Sequence, residues 1–168
     1  SEKMLPNYCD FDSSVFKDSP KGNSVSVSDI MDVAVKLKAY TLSNGKLAKS
    51  GHVGGKKVNI EQFSYLMAQA IKCLNDNNAS AKIDILDVIA SDNNGFINHR
   101  AFKSTYLSAA NKVASDGVNK KVLPSYVSLD GDKAVFKVYT YGFAKILAFY
   151  KSEKMLPNYC DFDSSVFK

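Results

Sequence analysis

Apolar positions along the chain recur mostly at helical spacing. Ile30, Val33, Leu37 and Tyr40 fall three or four residues apart, the interval that brings side chains onto one face of a helix. Ser28 offers an N-cap and Asn44-Gly45 a left-handed stop, so the pattern predicts a helix over about 28–43. From Leu47 to Val58 the pattern shortens and becomes glycine-rich and alternating, which predicts an extended segment turning at Gly54-Gly55. Asn59, with Gln62 three residues on, then caps a second helix whose apolar stripe is Ile60, Phe63, Leu66, Met67, Ala70, Ile71 and Leu74.

The same order returns further along. A helix is predicted over about 98–115, presenting Phe102, Tyr106, Ala109 and Val113, with Gly117 marking its end. Leu123 to Phe136 holds Asp130-Gly131, a strong turn signal between two apolar runs. Another helix, over about 137–152, carries Phe143, Ile146, Leu147 and Tyr150. Ile83, Leu86 and Ile89 predict a short helix over 82–90, while Asn75 to Ser80 and Lys17 to Ser26 read as linkers.

This recurrence reflects internal repetition. Ser1 to Lys17 and Ser152 to Lys168 are identical at all seventeen positions, which sets a period of 151 residues. A shift of 76 lays Ser28–Val58 on Ser104–Ala134 without a gap, matching Ile30 with Tyr106, Ala34 with Ala110, Leu37 with Val113, Leu47 with Leu123 and Gly55 with Gly131. The predicted fold is mainly α, with repeated helix–short extended turn–helix units packed around a shared core. Its expected divisions are a partial motif over 1–17, a first repeat over 18–78, and a second over 79–168 ending in a partial third motif.

Three sites share one local signature: Leu5-Pro6-Asn7-Tyr8, Leu123-Pro124-Ser125-Tyr126 and Leu156-Pro157-Asn158-Tyr159. At Leu47-Ala48-Lys49-Ser50 the Pro and Tyr are lost. Placed after an amphipathic helix, and before a glycine turn and a helix of the type Gln62 to Ile71, the signature resembles the pseudomurein-binding repeat. That family occurs in surface proteins of methanogenic archaea and in the endoisopeptidases that cleave their pseudomurein wall. The resemblance implies a non-catalytic module outside the cell, at the wall or surface, attached without covalent bonds to the glycan or peptide part of pseudomurein. It makes Asn7, Tyr8, Ser125, Tyr126, Asn158 and Tyr159 the ligand-binding candidates. Tyrosine offers a ring face to a sugar and a hydroxyl to its polar groups, Asn offers both donor and acceptor, and Pro fixes the backbone that presents them. The same residues admit a plainer role, since Pro ends a helix and a following Tyr can lid a helix pair. A competing function is a structural or adhesive repeat that holds another protein chain.

Charge and candidate chemistry narrow the choice. The net charge is +5, yet of 22 basic residues only Arg100 is an arginine, and the lysines are scattered. Base recognition favours clustered, bidentate guanidinium groups, so nucleic acid is not an expected partner. No apolar run approaches the ~20 residues of a membrane span, so insertion is not expected either. Cys9 and Cys160 are one position of the duplicated segment, Cys73 sits on a predicted helix, and no Cys-x-x-Cys spacing suggests zinc. Ser91 to Ile97 begins like a calcium loop, but Ala90 and Ala101 occupy the first and twelfth ligand positions. No cofactor is expected. A thiol nucleophile needs an imidazole or helix N-terminus beside it, which Cys73 on its helix does not promise, and Cys160 falls where the sister unit has Val127, a packing residue, so an enzyme is not expected.

Overall fold

The computed structural model describes residues 23–91 and 93–168. Asn7 and Tyr8 therefore lie outside the described residues, as does the rest of the first seventeen-residue copy. The order of elements is β1 (Ser24–Ser26), α1 (Val27–Asn44), β2 (Ser50–Val53), β3 (Lys56–Asn59), α2 (Ile60–Asn75), β4 (Lys82–Asp84), β5 (Asn98–Phe102), α3 (Lys103–Lys120), β6 (Tyr126–Leu129), β7 (Asp132–Val135), α4 (Phe136–Glu153) and β8 (Tyr159–Asp163). The strands form four antiparallel two-stranded ribbons, β1–β4, β2–β3, β5–β8 and β6–β7.

This is a mixed α/β fold, which overturns the expectation of a mainly α chain of repeated helix units. Strands of three to five residues show only one or two inward side chains, too few for an alternating signal to stand out beside long helical stripes. The short helix predicted over 82–90 is absent: Lys82–Asp84 form strand β4, in which Ile83 is buried between exposed Lys82 and Asp84, and 85–90 form no helix; Ile89, counted in that helical stripe, is 66% exposed. The helix predicted from Asn98 begins at Lys103, and the residues before it form β5. Gly117 does not end α3, which runs on to Lys120 and stops at Lys121 in the left-handed conformation. Its role is close packing, since a Cβ there would lie 2.7 Å from Tyr65 Cε1. Ser26, rather than Ser28, caps α1, accepting from the Asp29 amide at 3.0 Å. The Asn59–Gln62 capping box on α2 forms as read.

The 76-residue offset reappears in three dimensions. Val27 and Lys103 open α1 and α3, Ser50 and Tyr126 open β2 and β6, and Ile60 and Phe136 open α2 and α4. In every ribbon the residue just before a helix pairs with the residue that opens the partner strand: Ser26 with Lys82, Asn59 with Ser50, Phe102 with Tyr159, Val135 with Tyr126. The recurring unit is thus a two-stranded ribbon feeding a helix. The helices pack crosswise, α1 on α4 and α3 on α2, with α2 also against α4. Ribbons bury their inner faces, among them Val53, Val58, Ala101, Val127, Leu129 and Phe162, in one continuous core. Within it the hydroxyls of Ser64 and Thr140, themselves 76 positions apart, meet at 2.8 Å with no exposure to solvent.

Candidate functional site

Both described Leu-Pro-x-Tyr segments are built to one plan. Leu123 and Leu156 are buried anchors. The carbonyl of the following Pro accepts a hydrogen bond from a tyrosine in the first turn of the helix fed by the same ribbon. Tyr106 Oη donates to Pro157 O at 2.5 Å, and Tyr139 Oη to Pro124 O at 2.8 Å. Burial raises the pKa of both hydroxyls above the ordinary value, so each stays a donor at physiological pH. In the unit containing Leu47-Ala48-Lys49-Ser50, which lacks Pro, the corresponding helix position is Phe63, which has no hydroxyl. The proline turn and its buried tyrosine are present or absent together.

Two residues past each Pro, the tyrosine ring emerges on the outer face of its ribbon. Tyr126 and Tyr159 are both 43% exposed, and neither belongs to the core cluster. A cation from the third residue before the helix covers each ring: Lys133 Nζ lies 4.8 Å from the Tyr126 centroid and Arg100 Cζ 4.0 Å from that of Tyr159. Asp161 holds the guanidinium in place, with Arg100 Nε donating to Oδ1 at 2.8 Å and Nη2 to Oδ2 at 3.3 Å. That pairing lowers the Asp161 pKa from its ordinary value. Phe102, exposed beside them, meets the Tyr159 ring edge-on at 6.1 Å.

Each tyrosine also lines a groove against the preceding helix. The first, of 480 Å³, lies between α3 and β6 and is lined by Ser108, Lys112, Asp116, Pro124, Ser125 and Tyr126 among others. The second, of 360 Å³, lies between α4 and β8 and includes Lys145, Phe149, Glu153, Pro157, Tyr159 and Asp161. Lys112 pairs with Asp116 at 3.3 Å, and Lys145 donates to the Asp161 carbonyl. A third groove, of 320 Å³ between α1 and β2, keeps the equivalent Lys36 but has Ala48 and Ser50 where the others have Pro and Tyr.

Of the sequence-predicted residues, Ser125 and Tyr126 come together in the first groove and Tyr159 lines the second. Asn158 is exposed, and its carbonyl accepts from the Lys103 amide at 2.9 Å. The sequence reading missed Arg100, Phe102, Lys112, Lys145 and Phe149. A signal for two of them was available: the shift of 33 that lays Leu123-Pro124-Ser125-Tyr126 on Leu156-Pro157-Asn158-Tyr159 also lays Lys112 on Lys145.

The two described cysteines and His99 serve packing and bracing. Cys160 points inward with Sγ 3.6 Å from Gly142 O, and burial pushes its thiol up to about 12, so it is protonated at neutral pH. Burial likewise raises the half-buried Cys73. Among the described residues no three His, Cys, Asp or Glu side chains converge as a metal site. His99 braces β5 against the β6–β7 turn through Asp130 at 2.8 Å and Asp132 at 2.9 Å, while Thr105 Oγ1 donates to Asp130 at 3.1 Å.

That brace makes stability depend on pH. The bond to Asp130 raises the His99 pKa, so its contribution is whole below about 6.5 and is lost as pH climbs through the raised folded value. The same bond lowers the Asp130 pKa, so that contribution is whole above about 4 and is lost as pH falls through the lowered value. Between pH 6 and 8.5 the thermal midpoint of the wild type is expected to fall by roughly 2 °C more than that of His99→Gln. Parallel pH profiles from thermal melts would refute this.

Comparison with protein-family models and with curated proteins gave no match to the chain.

Proposed function

We propose that the chain is a non-catalytic module that holds a repetitive cell-wall polymer of the pseudomurein type in its Leu-Pro-x-Tyr grooves, outside the cell. The observation that carries this is the duplication of one polar-aromatic plan. In both grooves a half-exposed tyrosine, with a cation over one face, stands beside a proline turn and across from a helix lysine. A repeating polymer offers the same epitope at intervals, and two like grooves on one core engage it with an avidity neither has alone. Tyrosine rings suit sugar faces, and lysines suit the carboxylates of wall peptides. The second groove adds exposed Phe149 to its lining, and exposed Phe102 meets the Tyr159 ring edge-on from outside that lining, which enlarges the apolar platform. The protonated, inward-facing Cys160 supports a binding rather than a catalytic role.

The test is co-sedimentation of the purified chain with pseudomurein sacculi and, separately, with bacterial peptidoglycan. Retention by pseudomurein alone is expected, and retention by neither polymer would sink the reading. Tyr126→Ala and Tyr159→Ala are each expected to weaken retention about fivefold, equivalent to about 1 kcal/mol of ring contact. Both rings lie outside the core, so the thermal midpoint should move by no more than roughly 2 °C.

A further inference from the structure

We propose that the seat filled by Tyr159–Phe167 also accepts Tyr8–Phe16 of a second molecule, so that chains join head to tail by exchanging identical segments. The seat is made of residues that lie outside both copies of the duplication. β5 pairs with β8 over five residues, from Asn98 opposite Asp163 to Phe102 opposite Tyr159. Tyr106 holds Pro157, Arg100 holds Asp161, and Ile97 exchanges backbone and hydroxyl hydrogen bonds with Ser164 at 2.9 Å. Phe162, fully buried, lies over Gly142, where any side chain would collide with its ring. Tyr141 meets Phe167 edge-on at 6.1 Å, and the Lys168 amide donates to Gly45 O at 3.0 Å.

Because Ser1–Lys17 repeats Ser152–Lys168 without a substitution, the first copy offers every one of these groups. Phe11 matches Phe162, Cys9 matches Cys160, Asp10 matches Asp161 and Ser13 matches Ser164. The geometry favours a second molecule over the same one. Lys168 is anchored at the C-terminal end of α1, whereas Asn23 precedes its N-terminal end, and an 18-residue helix is about 27 Å long. The six bonds from Lys17 to Asn23 extend at most about 21 Å. Since the contacts are the same in both arrangements, the balance is set by concentration. The molecule's own second copy, tethered to α4, competes at an effective concentration of order millimolar. Weakening that copy alone tips the balance toward exchange.

The test uses the full chain in three forms: Phe162→Ala, Phe11→Ala, and the two combined. Light scattering across about 1 to 50 µM, at least about twentyfold below the tethered copy's effective concentration, is expected to give monomers for the wild type and Phe11→Ala. Phe162→Ala should give oligomers that grow with concentration and are dispersed by excess of the free peptide Ser1–Lys17. The combined variant should stay monomeric. The proposal is overturned if Phe162→Ala and the combined variant associate alike, or if neither associates. It is equally overturned if Phe162→Ala remains unfolded despite excess peptide. Phe162→Ala that stays monomeric with a wild-type melting midpoint would assign the seat to the molecule's own first copy, against exchange between molecules.

Discussion

Gly142→Ala is expected to lower the thermal midpoint by roughly 4–8 °C, although glycine to alanine inside a helix ordinarily stabilises it by about 1 kcal/mol. Gly142 lies in the middle of α4, and the methyl group would come within 2.5 Å of Phe162 Cδ2. The Phe162 ring has no solvent exposure into which it could retreat, since β8 holds it down on one side and α4 on the other. Overpacking costs about 1–3 kcal/mol, occasionally more; a ring with nowhere to retreat puts this collision at the upper end, about 3 kcal/mol, and the helix gain of about 1 kcal/mol leaves a net loss of about 2 kcal/mol. Thermal melts of the single variant and of Gly142→Ala with Phe162→Leu check the cause. If the collision is the reason, the smaller side chain recovers part of the loss and the two substitutions are non-additive. A midpoint that rises in Gly142→Ala would show that the ring relaxes freely.

The sequence makes the α4 glycine look like a weakness and gives no hint of its partner, because Phe162 reaches it only through the β5–β8 pairing. That pairing is where reading from sequence fell short. β5 and β8 are separated by the whole of α3, β6, β7 and α4, and strand partners so remote leave no local trace. The hairpins β2–β3 and β6–β7 were legible because Gly54-Gly55 and Asp130-Gly131 sit at their turns, in the positive-φ conformations that such turns demand. The helices were legible from their stripes, and only the start of α3 was misplaced by several residues. Phe102 and Val135 are extended N-cap positions with no side-chain cap, so the start of α3 had no polar signal to mark it. In the grooves, the tyrosines were legible from the motif. Arg100 was not, since its place above Tyr159 depends on cross-strand register.

Tyr106→Phe is expected to cost about 2 kcal/mol and Tyr139→Phe about 1 kcal/mol, although each removes a single oxygen. The difference follows from what is left behind. Pro157 is buried, so losing the Tyr106 hydroxyl strands its carbonyl away from water; Pro124 is only half-buried, and water can replace Tyr139 there. Denaturant unfolding of the two variants would measure the order, and equal losses would contradict it. The double variant should lose about 3 kcal/mol, because the two turns belong to different ribbons and share no partner. On the proposed function it should also hold wall polymer less well than either tyrosine-to-phenylalanine change alone, even at temperatures where it is fully folded, since both proline turns would then be free to shift the exposed rings.

The buried hydroxyl pair of Ser64 and Thr140 has a bearing on how such a chain could arise. Residues that occupy the same place in two copies of a unit, and that touch one another, mark the axis of an approximate dyad. A lone half of the chain, closed on an identical partner, would set this side chain against its own image. A lysine or a carboxylate there would face its own like charge, whereas a hydroxyl is both donor and acceptor and so can bond to itself. The contact that now joins two halves of one polypeptide is therefore of the kind that would also join two separate ones, and it is chemically suited to an ancestor that was a symmetric homodimer before its genes were fused.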